Sequence, residues 1–287
     1  MSHTIHTYFH GDTSTFTHVL ADDATQLCAV VDPVLDYDAK SGRTSYTFID
    51  GVLADIRQRG LTCIYVLETH AHADHLTSAA YIREQTGAEI VIGGKITDIQ
   101  KTFASIFNED SRFATDGSQF DLLLEEGAEL AIGETTVRVL FTPGHTPACV
   151  SYLAGDSDVF VGYTLFMPDV GTARCDFPGG DAGALYDSTR RLLALGDDVV
   201  MHLCHDYPPV ERPIESRVTV AQQRADNIHV SDRHSREDFI RMRTERDAGL
   251  EMPRLILPSL QVNIRAGHFP EPEDNGVSYL KIPLNRL

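Results

Sequence analysis

Short apolar runs rich in β-branched residues alternate along the first part of the chain with stretches of helical periodicity. Strands are predicted to begin at Ile5, Thr15 and Leu27, in the runs IHTYFH, TFTHVLA and LCAVVDP. Apolar positions recur at helical spacing from about Tyr46 to Arg59, which predicts a helix over that range. These elements are the start of a mixed α/β pattern.

A wholly apolar run, CIYVLE, is typical of a strand buried on both faces of a sheet. A helix to about Gln85 and a strand in AEIVIG follow. The stretch from Gly94 to about Phe120 lacks clear periodicity, and we expect a surface excursion with some helix. The runs DLLLEEG, AELAIG, TTVRVLFTPG, CVSYLAG and DVFVG then predict a meander of strands separated by glycines.

The remainder is predicted to be mainly helical. A helix around Ala184–Leu195 leads into a strand in DVVMHLCH, helical character runs from about Ile214 to Arg246, and the end is proline-rich and irregular. No low-complexity linker or short repeat divides the chain. We therefore predict one domain over residues 1–287, with a C-terminal extension from about residue 213 whose helices would allow a homodimer.

Two segments share an apolar run followed by a histidine: VLETHAH, from Val66, and VLFTPGH, from Val139. Two β-rich halves that each deliver histidine from a strand end predict an α/β fold. The specific expectation is a four-layer α/β/β/α sandwich with two mixed β-sheets flanked by helices. A functional site would lie at the seam between the two sheets.

Charge and cysteine content narrow the functional classes. The 24 Lys and Arg against 42 Asp and Glu give a formal charge of −18, which argues against nucleic acid and anionic membranes as partners. An anionic small substrate would need locally placed Arg or Lys. The five cysteines are odd in number and form no C-x-x-C pair, so neither disulfides nor a thiolate zinc site is indicated. Without a signal peptide or an apolar run of about 18 residues, we expect a cytoplasmic protein.

The strongest chemical signal is the segment Thr-His-Ala-His-Ala-Asp-His that follows the buried strand. His70 and His72 are two residues apart and point the same way on an extended segment, while Asp74 and His75 would approach from another side. Three imidazoles and a carboxylate are costly to bury together without a cation. The segment therefore predicts a metal site.

Two further histidines follow apolar strands. His145 lies in Phe-Thr-Pro-Gly-His-Thr-Pro, where proline and glycine impose a rigid turn that would fix the imidazole. His205 begins His-Asp-Tyr at the end of another apolar strand. We expect both to join the first group.

The combination H-x-H-x-D-H, G-H-T and H-D-Y resembles the metallo-β-lactamase superfamily. The runs DPVLDYDAKSGRTS, ETHAHADHLTSA, TPGHTPACVSY, GTARCDFPGGDA, LCHDYPP and LPSLQVNIRAG look most like its persulfide dioxygenase (sulfur dioxygenase) branch, and within it like bacterial proteins labelled β-lactamase-hydrolase-like. The resemblance spans about residues 5 to 285. It implies oxidation of glutathione persulfide by dioxygen and water to sulfite and glutathione, at one Fe(II) per chain.

The resemblance also implies roles for individual residues. His70 and His145 would be iron ligands. The superfamily's other metal-binding positions, which in this branch act mainly around the iron rather than on it, fall on His72, Asp74, His75 and His205.

One position departs from the family pattern. The third ligand is expected to be an aspartate after Gly162, where this chain has Tyr163. A phenolate would bind ferric iron only if the metal strongly lowered the phenol's pKa from about 10, and Asp169 or Asp176 would replace the carboxylate only if their loop moved. We therefore expect impaired or altered metal binding relative to the family.

Substrate carboxylates need cations, and guanidinium binds carboxylates bidentately. Arg174, Asn263 and Arg265 are the predicted recognition residues, and Tyr207 is placed to hydrogen-bond the peptide. Two other functions remain open. One is a zinc-dependent thioester hydrolase of the glyoxalase II type, with zinc held by His70, His72 and His145. The other is a non-enzymatic glutathione or persulfide binder.

Overall fold

Two six-stranded β-sheets dominate the computed structural model, which describes residues 2–286. The strands are β1 (His3–His10), β2 (Thr15–Asp22), β3 (Leu27–Val31), β4 (Val34–Asp38), β5 (Arg43–Ser45), β6 (Thr62–Leu67), β7 (Leu76–Thr77), β8 (Glu89–Gly93), β9 (Leu122–Leu124), β10 (Glu129–Ile132), β11 (Thr135–Phe141), β12 (Val150–Ala154), β13 (Asp158–Phe160), β14 (Val200–His202) and β15 (Arg217–Thr219). The helices are α1 (Thr47–Gln58), α2 (Ala79–Thr86), α3 (Ile96–Ile106), α4 (Ala182–Leu192), α5 (Val220–Asp226), α6 (Arg236–Asp247) and α7 (Ile256–Asn263).

Both sheets are mixed, as predicted. The first has the order β1-β2-β3-β6-β8-β9, antiparallel from β1 to β3 and parallel from β3 to β9. The second has the order β10-β11-β12-β13-β14-β15, in which only the β13–β14 pair is parallel. The strands β5, β4 and β7 form a small third sheet in that order.

Three apolar cores separate the layers. The residues packed between the two sheets include Leu20, Val31, Leu67, Val139, Tyr152 and Phe160. Helices α1, α2 and α3 pack their apolar faces into a core with the first sheet, and α4, α5 and α6 do so with the second. The α/β class and the four-layer α/β/β/α arrangement are therefore confirmed. A hydrogen bond links the two halves of the sandwich: the Tyr152 hydroxyl donates to the Glu68 carbonyl at 2.8 Å.

Several local predictions need correction. Helix α3 buries Ile96, Ile99 and Phe103 against the first-sheet core, so the 94–120 segment is more than a surface excursion. The segment predicted as helical from Ile214 begins with strand β15, because edge pairing with β14 takes precedence over helical spacing. This strand completes the second sheet, so the part of the chain after residue 213 is not separate from the sandwich. Helix α7 forms within the stretch predicted to be irregular.

The prediction of one domain over residues 1–287 stays a prediction. Among the helices of residues 2–286, none combines the length and apolar character needed to cross a membrane.

Candidate metal centre

The histidines predicted from the sequence meet where strand ends of the two sheets come together. The segment from Thr69 to His75 follows β6 in the first sheet, while His145 follows β11 and His205 follows β14 in the second. Six side chains form this group: His70, His72, Asp74, His75, His145 and His205. All of them except Asp74 are buried. The seam between the sheets is thus the location of the candidate site, as the sequence indicated.

Asp32 holds the first segment in place. It lies directly after β3 with φ of 48°, and its Oδ1 accepts hydrogen bonds from the Thr69 backbone N–H at 2.8 Å and from His72 Nε2 at 3.0 Å. With Nε2 of His72 donating, Nδ1 is the ring nitrogen left to face the site. A carboxylate behind an imidazole commonly orients a metal-binding histidine in this way.

The sequence interpretation missed Asp32. Its only local signal is an aspartate directly after an apolar strand, and its partners are far from it in sequence. Asp32, His72 and Cys204 form a second group of potential ligand atoms within 4.8 Å of one another. Asp32 is already used by hydrogen bonds, so we assign it to orientation of His72.

Four side chains form a tight set of potential ligand atoms, all within 4.8 Å of one another: His72, Asp74, His75 and His205. Asp74 Oδ2 lies 3.0 Å from His205 Nε2, and Asp74 Oδ1 lies 3.3 Å from His75 Nδ1. The Ser14 carbonyl lies 3.1 Å from His205 Nδ1 and orients that ring from behind. Burial raises the pKa of Asp74, but the nearby imidazoles outweigh it and hold this pKa far below the usual value.

The donor atoms of this set fit a metal ion. Among the described residues, seven buried atoms of this set and the neighbouring His70 have no hydrogen-bond partner: His70 Nε2, His72 Nδ1, Asp74 Oδ1 and Oδ2, His75 Nδ1 and Nε2, and His205 Nε2. Leaving so many buried polar atoms unpaired is costly unless a cation satisfies them. Burial lowers the pKa of His70, His72, His145 and His205. These imidazoles are therefore neutral near pH 7 and carry the lone pairs that metal binding requires.

His70 and His145 lie beside this set, with ring centroids 5.2 Å apart. The His145 Nδ1–H donates to the Arg174 carbonyl at 2.8 Å, which leaves Nε2 as its free ring nitrogen. Gly144 precedes it with φ of 140°, and a Cβ there would lie 2.3 Å from the Leu185 Cα. Only glycine lets the turn approach α4 so closely, and that approach fixes His145.

Tyr163 presents a ring, rather than an oxygen, to these histidines. Its ring stacks on His145 with centroids 4.5 Å apart and lies edge-on to His205 at 4.9 Å. Its hydroxyl points to the Tyr207 hydroxyl, 3.4 Å away. Burial raises the pKa of the Tyr163 phenol well above its usual value, which disfavours a phenolate. His70 and His145 therefore lack the third ligand that the resemblance implies.

The two aspartates considered as replacements are engaged elsewhere. Asp169 pairs with Arg212 at 2.6 Å, and Asp176 pairs with Arg174 at 2.6 Å. The structure thus groups His72, Asp74, His75 and His205 around potential ligand positions, and the assignment of His70 and His145 as the primary ligands stays a prediction.

The predicted substrate-binding residues Arg174, Arg265 and Tyr207 have different surroundings. The Arg174 guanidinium binds Asp176 through two nitrogens and donates to the Glu251 carbonyl at 2.6 Å. The Arg265 guanidinium pairs with Glu109 at 2.8 Å and stacks over a phenylalanine ring. Neither guanidinium is free, so these contacts do not favour the predicted carboxylate recognition. Tyr207 is 42% exposed beside the histidines, a position compatible with its predicted role.

Asn263 requires a correction, because its amide is committed to the backbone of the metal-binding segment. Its Nδ2 donates to the carbonyls of His72 and His75, both at 2.8 Å, and its Oδ1 accepts from the Thr77 backbone N–H at 2.8 Å. The side chain is buried and both N–H groups are used. Asn263 therefore positions the metal-binding segment instead of contacting substrate.

Asn263→Ala is expected to lower the free energy of unfolding by about 3 kcal/mol, because it leaves two carbonyls and one N–H buried without partners. Metal affinity should fall with it, since the segment loses its anchor. Urea denaturation and metal titration measure the two effects. Asn275→Ala is the matched control, because that amide also makes hydrogen bonds but is exposed; an equally small effect at both positions would refute the assigned role.

Comparisons with known proteins identify a matching family and several relatives of this chain. The profile described as Metallo-beta-lactamase superfamily matches residues 11–205. Glyoxylase B2 of Dictyostelium discoideum is 50% identical over 277 residues, covering 96% of this chain and 95% of that protein. The mitochondrial persulfide dioxygenase ETHE1 of Homo sapiens is 28% identical over 256 residues, covering 88% and 84%. The crystal structure of ETHE1 from Myxococcus xanthus superposes with a TM-score of 0.73 at 31% identity, covering 92% of this chain and all of that one (100%).

Proposed function

The chain belongs to the metallo-beta-lactamase superfamily, whose members are enzymes, and on that premise we propose that it is a glutathione persulfide dioxygenase. The substrates would be glutathione persulfide and dioxygen, the products sulfite and glutathione, and the cofactor one Fe(II) per chain. The similarity to persulfide dioxygenase ETHE1 along most of the chain supports this choice. The observation that carries it is the buried set of unpartnered imidazole and carboxylate atoms at the seam.

Each residue of the site has a part in this proposal. His72, Asp74, His75 and His205 would hold the ion beside His70 and His145, the two histidines that the resemblance implies as ligands. Asp32 would keep Nδ1 of His72 directed toward it. A bound ferrous ion with nitrogen and oxygen ligands and open positions supplies a site where a thiolate-type sulfur and dioxygen meet.

Aromatic rings form one wall of the site. Phe166 lies edge-on to Tyr163 at 4.8 Å and to Tyr207 at 5.8 Å between ring centroids. These rings limit the access of water to the histidines, which strengthens charge interactions inside the site. We propose that they line the entry of the sulfur-bearing group.

A zinc-dependent thioester hydrolase is the second candidate. The 50% identity to a protein called Glyoxylase B2 is the observation that favours it. A zinc ion would supply an activated water there.

Metal analysis combined with two activity assays separates the candidates. We expect protein purified without oxygen to contain iron and to consume oxygen with glutathione persulfide. Zinc together with cleavage of a glutathione thioester would replace the oxygenase by the hydrolase. Protein with neither metal nor turnover that still binds glutathione would refute both and leave a binder. The cytoplasmic location and the homodimer stay predictions.

A further inference from the structure

The aromatic wall of the site is built by two separate parts of the chain. Tyr163 and Phe166 lie in segment 163–171, which follows β13. Tyr207 lies in loop 206–216, which follows β14. The two parts meet where the Tyr207 ring lies 5.8 Å from the Phe166 ring, between centroids, and where the Tyr207 and Tyr163 hydroxyls lie 3.4 Å apart. The separation of the two parts therefore sets the width of the entry on this side.

Segment 163–171 is tied through its backbone to the helical layer beside the second sheet. The Phe166 carbonyl accepts a hydrogen bond from the side-chain amide of Gln223 at 2.7 Å, and Gln223 is buried on α5. The Pro168 carbonyl accepts from the Ile228 backbone N–H at 3.0 Å. This segment is therefore the fixed side of the wall.

Loop 206–216 has fewer ties, and Val210 near its middle is fully exposed. Among the described residues, the stretch 207–214 makes polar contacts outside the loop at only two places. One is the contact between the tyrosine hydroxyls, and the other is the ion pair between Arg212 and Asp169. The loop is therefore the side of the wall that can move, and Arg212 is its main attachment.

The Arg212 guanidinium bridges two carboxylates, one from each part of the wall. Its Nη1 and Nη2 donate to Asp206 at 2.8 and 2.7 Å, and its Nε and Nη2 donate to Asp169 at 2.6 and 3.0 Å. The planar fork of arginine allows both contacts at once. Asp206 is wholly buried and also accepts from the Glu215 N–H at 2.9 Å, whereas the Asp169 side chain is 39% exposed. Arg212 therefore stays bound within its own loop, and its contact with Asp169 is the one that opens more easily.

We propose that Arg212 and Asp169 form a clasp that sets the width of the entry and thereby selects the size of the sulfur-bearing molecules that reach the metal centre. The closed clasp keeps Tyr207 against Phe166 and so favours derivatives of small thiols over those of long peptides. Arg212 is a positioning residue, because it acts on the substrate through Tyr207. The selection of substrate rests on the proposed function, but the position of the loop can be measured without any reaction.

A tryptophan at position 207 reports the position of the loop. The chain contains no tryptophan, so Tyr207→Trp introduces a single fluorophore whose exposure is measured by acrylamide quenching. In this reporter protein, the further substitution Asp169→Asn should about double the quenching constant, because position 207 is only 42% exposed while the clasp is closed. Added salt should also increase the quenching, since it screens a partly exposed ion pair. Salt should have no such effect once Asp169→Asn is present.

Two further variants separate the clasp from a general loss of charge. Asp169→Glu keeps the carboxylate and should behave like the reporter protein. Asp187→Asn is the matched control, because Asp187 also binds an arginine through two nitrogens, Arg236 at 3.0 and 3.1 Å, but links α4 to α6 instead of the two parts of the wall. It should leave the quenching and its salt dependence unchanged. Equal quenching in Asp169→Asn and Asp169→Glu would refute the role of the ion pair.

Steady-state kinetics with the natural tyrosine at position 207 provide the second readout. Two substrates are compared, the derivative of glutathione that is consumed, persulfide or thioester, and the same derivative of a longer cysteine peptide. Asp169→Asn should raise kcat/KM for the longer peptide by up to about fivefold relative to glutathione, the effect of losing a partly exposed ion pair. A purely structural defect would lower both values together. An unchanged quenching constant, or an unchanged preference between the two substrates, overturns the inference; a raised quenching constant in protein without turnover supports the clasp and refutes only the proposed reaction.

Discussion

Asp74→Asn is expected to lower the metal affinity of the protein by more than about a hundredfold. Loss of a side chain that only hydrogen-bonds to a metal ligand already lowers metal affinity by about 10–100-fold, and Asp74 is itself a potential ligand. Asp74 is the only carboxylate in the tight ligand set and lies between two imidazoles, 3.0 Å from His205 and 3.3 Å from His75. The amide removes the one negative charge that would offset the cation. It also replaces one of two equivalent oxygens by a nitrogen donor that faces metal ligands.

Two measurements check this expectation. Elemental analysis after dialysis against defined metal concentrations gives the affinity, and the melting temperature with and without a chelator reports binding independently, since a ligand that binds only the folded state stabilises it. Asp156→Asn is the control, because that side chain is fully exposed (100%). Unchanged metal content in Asp74→Asn would mean that the ion lies elsewhere, for example between His70 and His145.

Tyr163→Asp is expected to raise metal affinity by at least about tenfold and to increase oxygen uptake with glutathione persulfide. The substitution removes the ring that stacks on His145 and replaces it by a carboxylate three residues after β13, beside histidines that lack a third ligand. A set of two histidines and one carboxylate with open positions is the arrangement that ferrous oxygenases use. Metal titration and an oxygen electrode measure the two effects.

Tyr163→Phe separates the ring from the hydroxyl. It keeps the stacking on His145 and loses only the contact with Tyr207, so its metal affinity should equal that of the parent protein. If the parent and the Tyr163→Asp variant bind equal iron and turn over equally, Tyr163 does not impair the site. If Tyr163→Phe alone loses the metal, the phenol oxygen is a ligand and the interpretation of the ring orientation is wrong.

The histidine cluster could be predicted from the sequence because its signals are local. His70 to His75 follow one apolar strand directly, and the four residues Thr-Pro-Gly-His indicate the rigid turn that carries His145. Strand ends of packed sheets meet at the seam, so these groups converge once the layer order is known. The same reasoning gave the two mixed sheets and their flanking helices.

The partners of polar side chains could not be predicted in the same way. Arg174, Asn263 and Arg265 were assigned to substrate because of their residue types, whereas their partners are set by tertiary packing. Asn263 binds carbonyls nearly two hundred positions earlier in the chain, and no local pattern records such a contact. The orientation of the Tyr163 ring is likewise decided by Tyr207, His145 and His205 together.

The prediction of secondary structure was wrong where pairing between distant strands decides the conformation. Strand β15 forms because β14 offers an edge, although the residues around it have helical spacing. The β4–β5 hairpin is short and largely polar, so no strand was predicted there. The turn chemistry of Asp38, which binds the Lys40 N–H and the Ser41 hydroxyl, is what shapes it.

The C-terminal segment also sets the order in which the protein matures. Asn263 on α7 anchors the metal-binding segment of the first sheet, and Asp247 on α6 accepts from the Cys175 backbone N–H at 2.8 Å, next to the residue that holds His145. During synthesis the Asp247 tie cannot form before residue 247 has left the ribosome, and the Asn263 tie cannot form before residue 263 has. The centre therefore assembles only after α7 has been synthesised, and a metal ion would enter it after both sheets have formed.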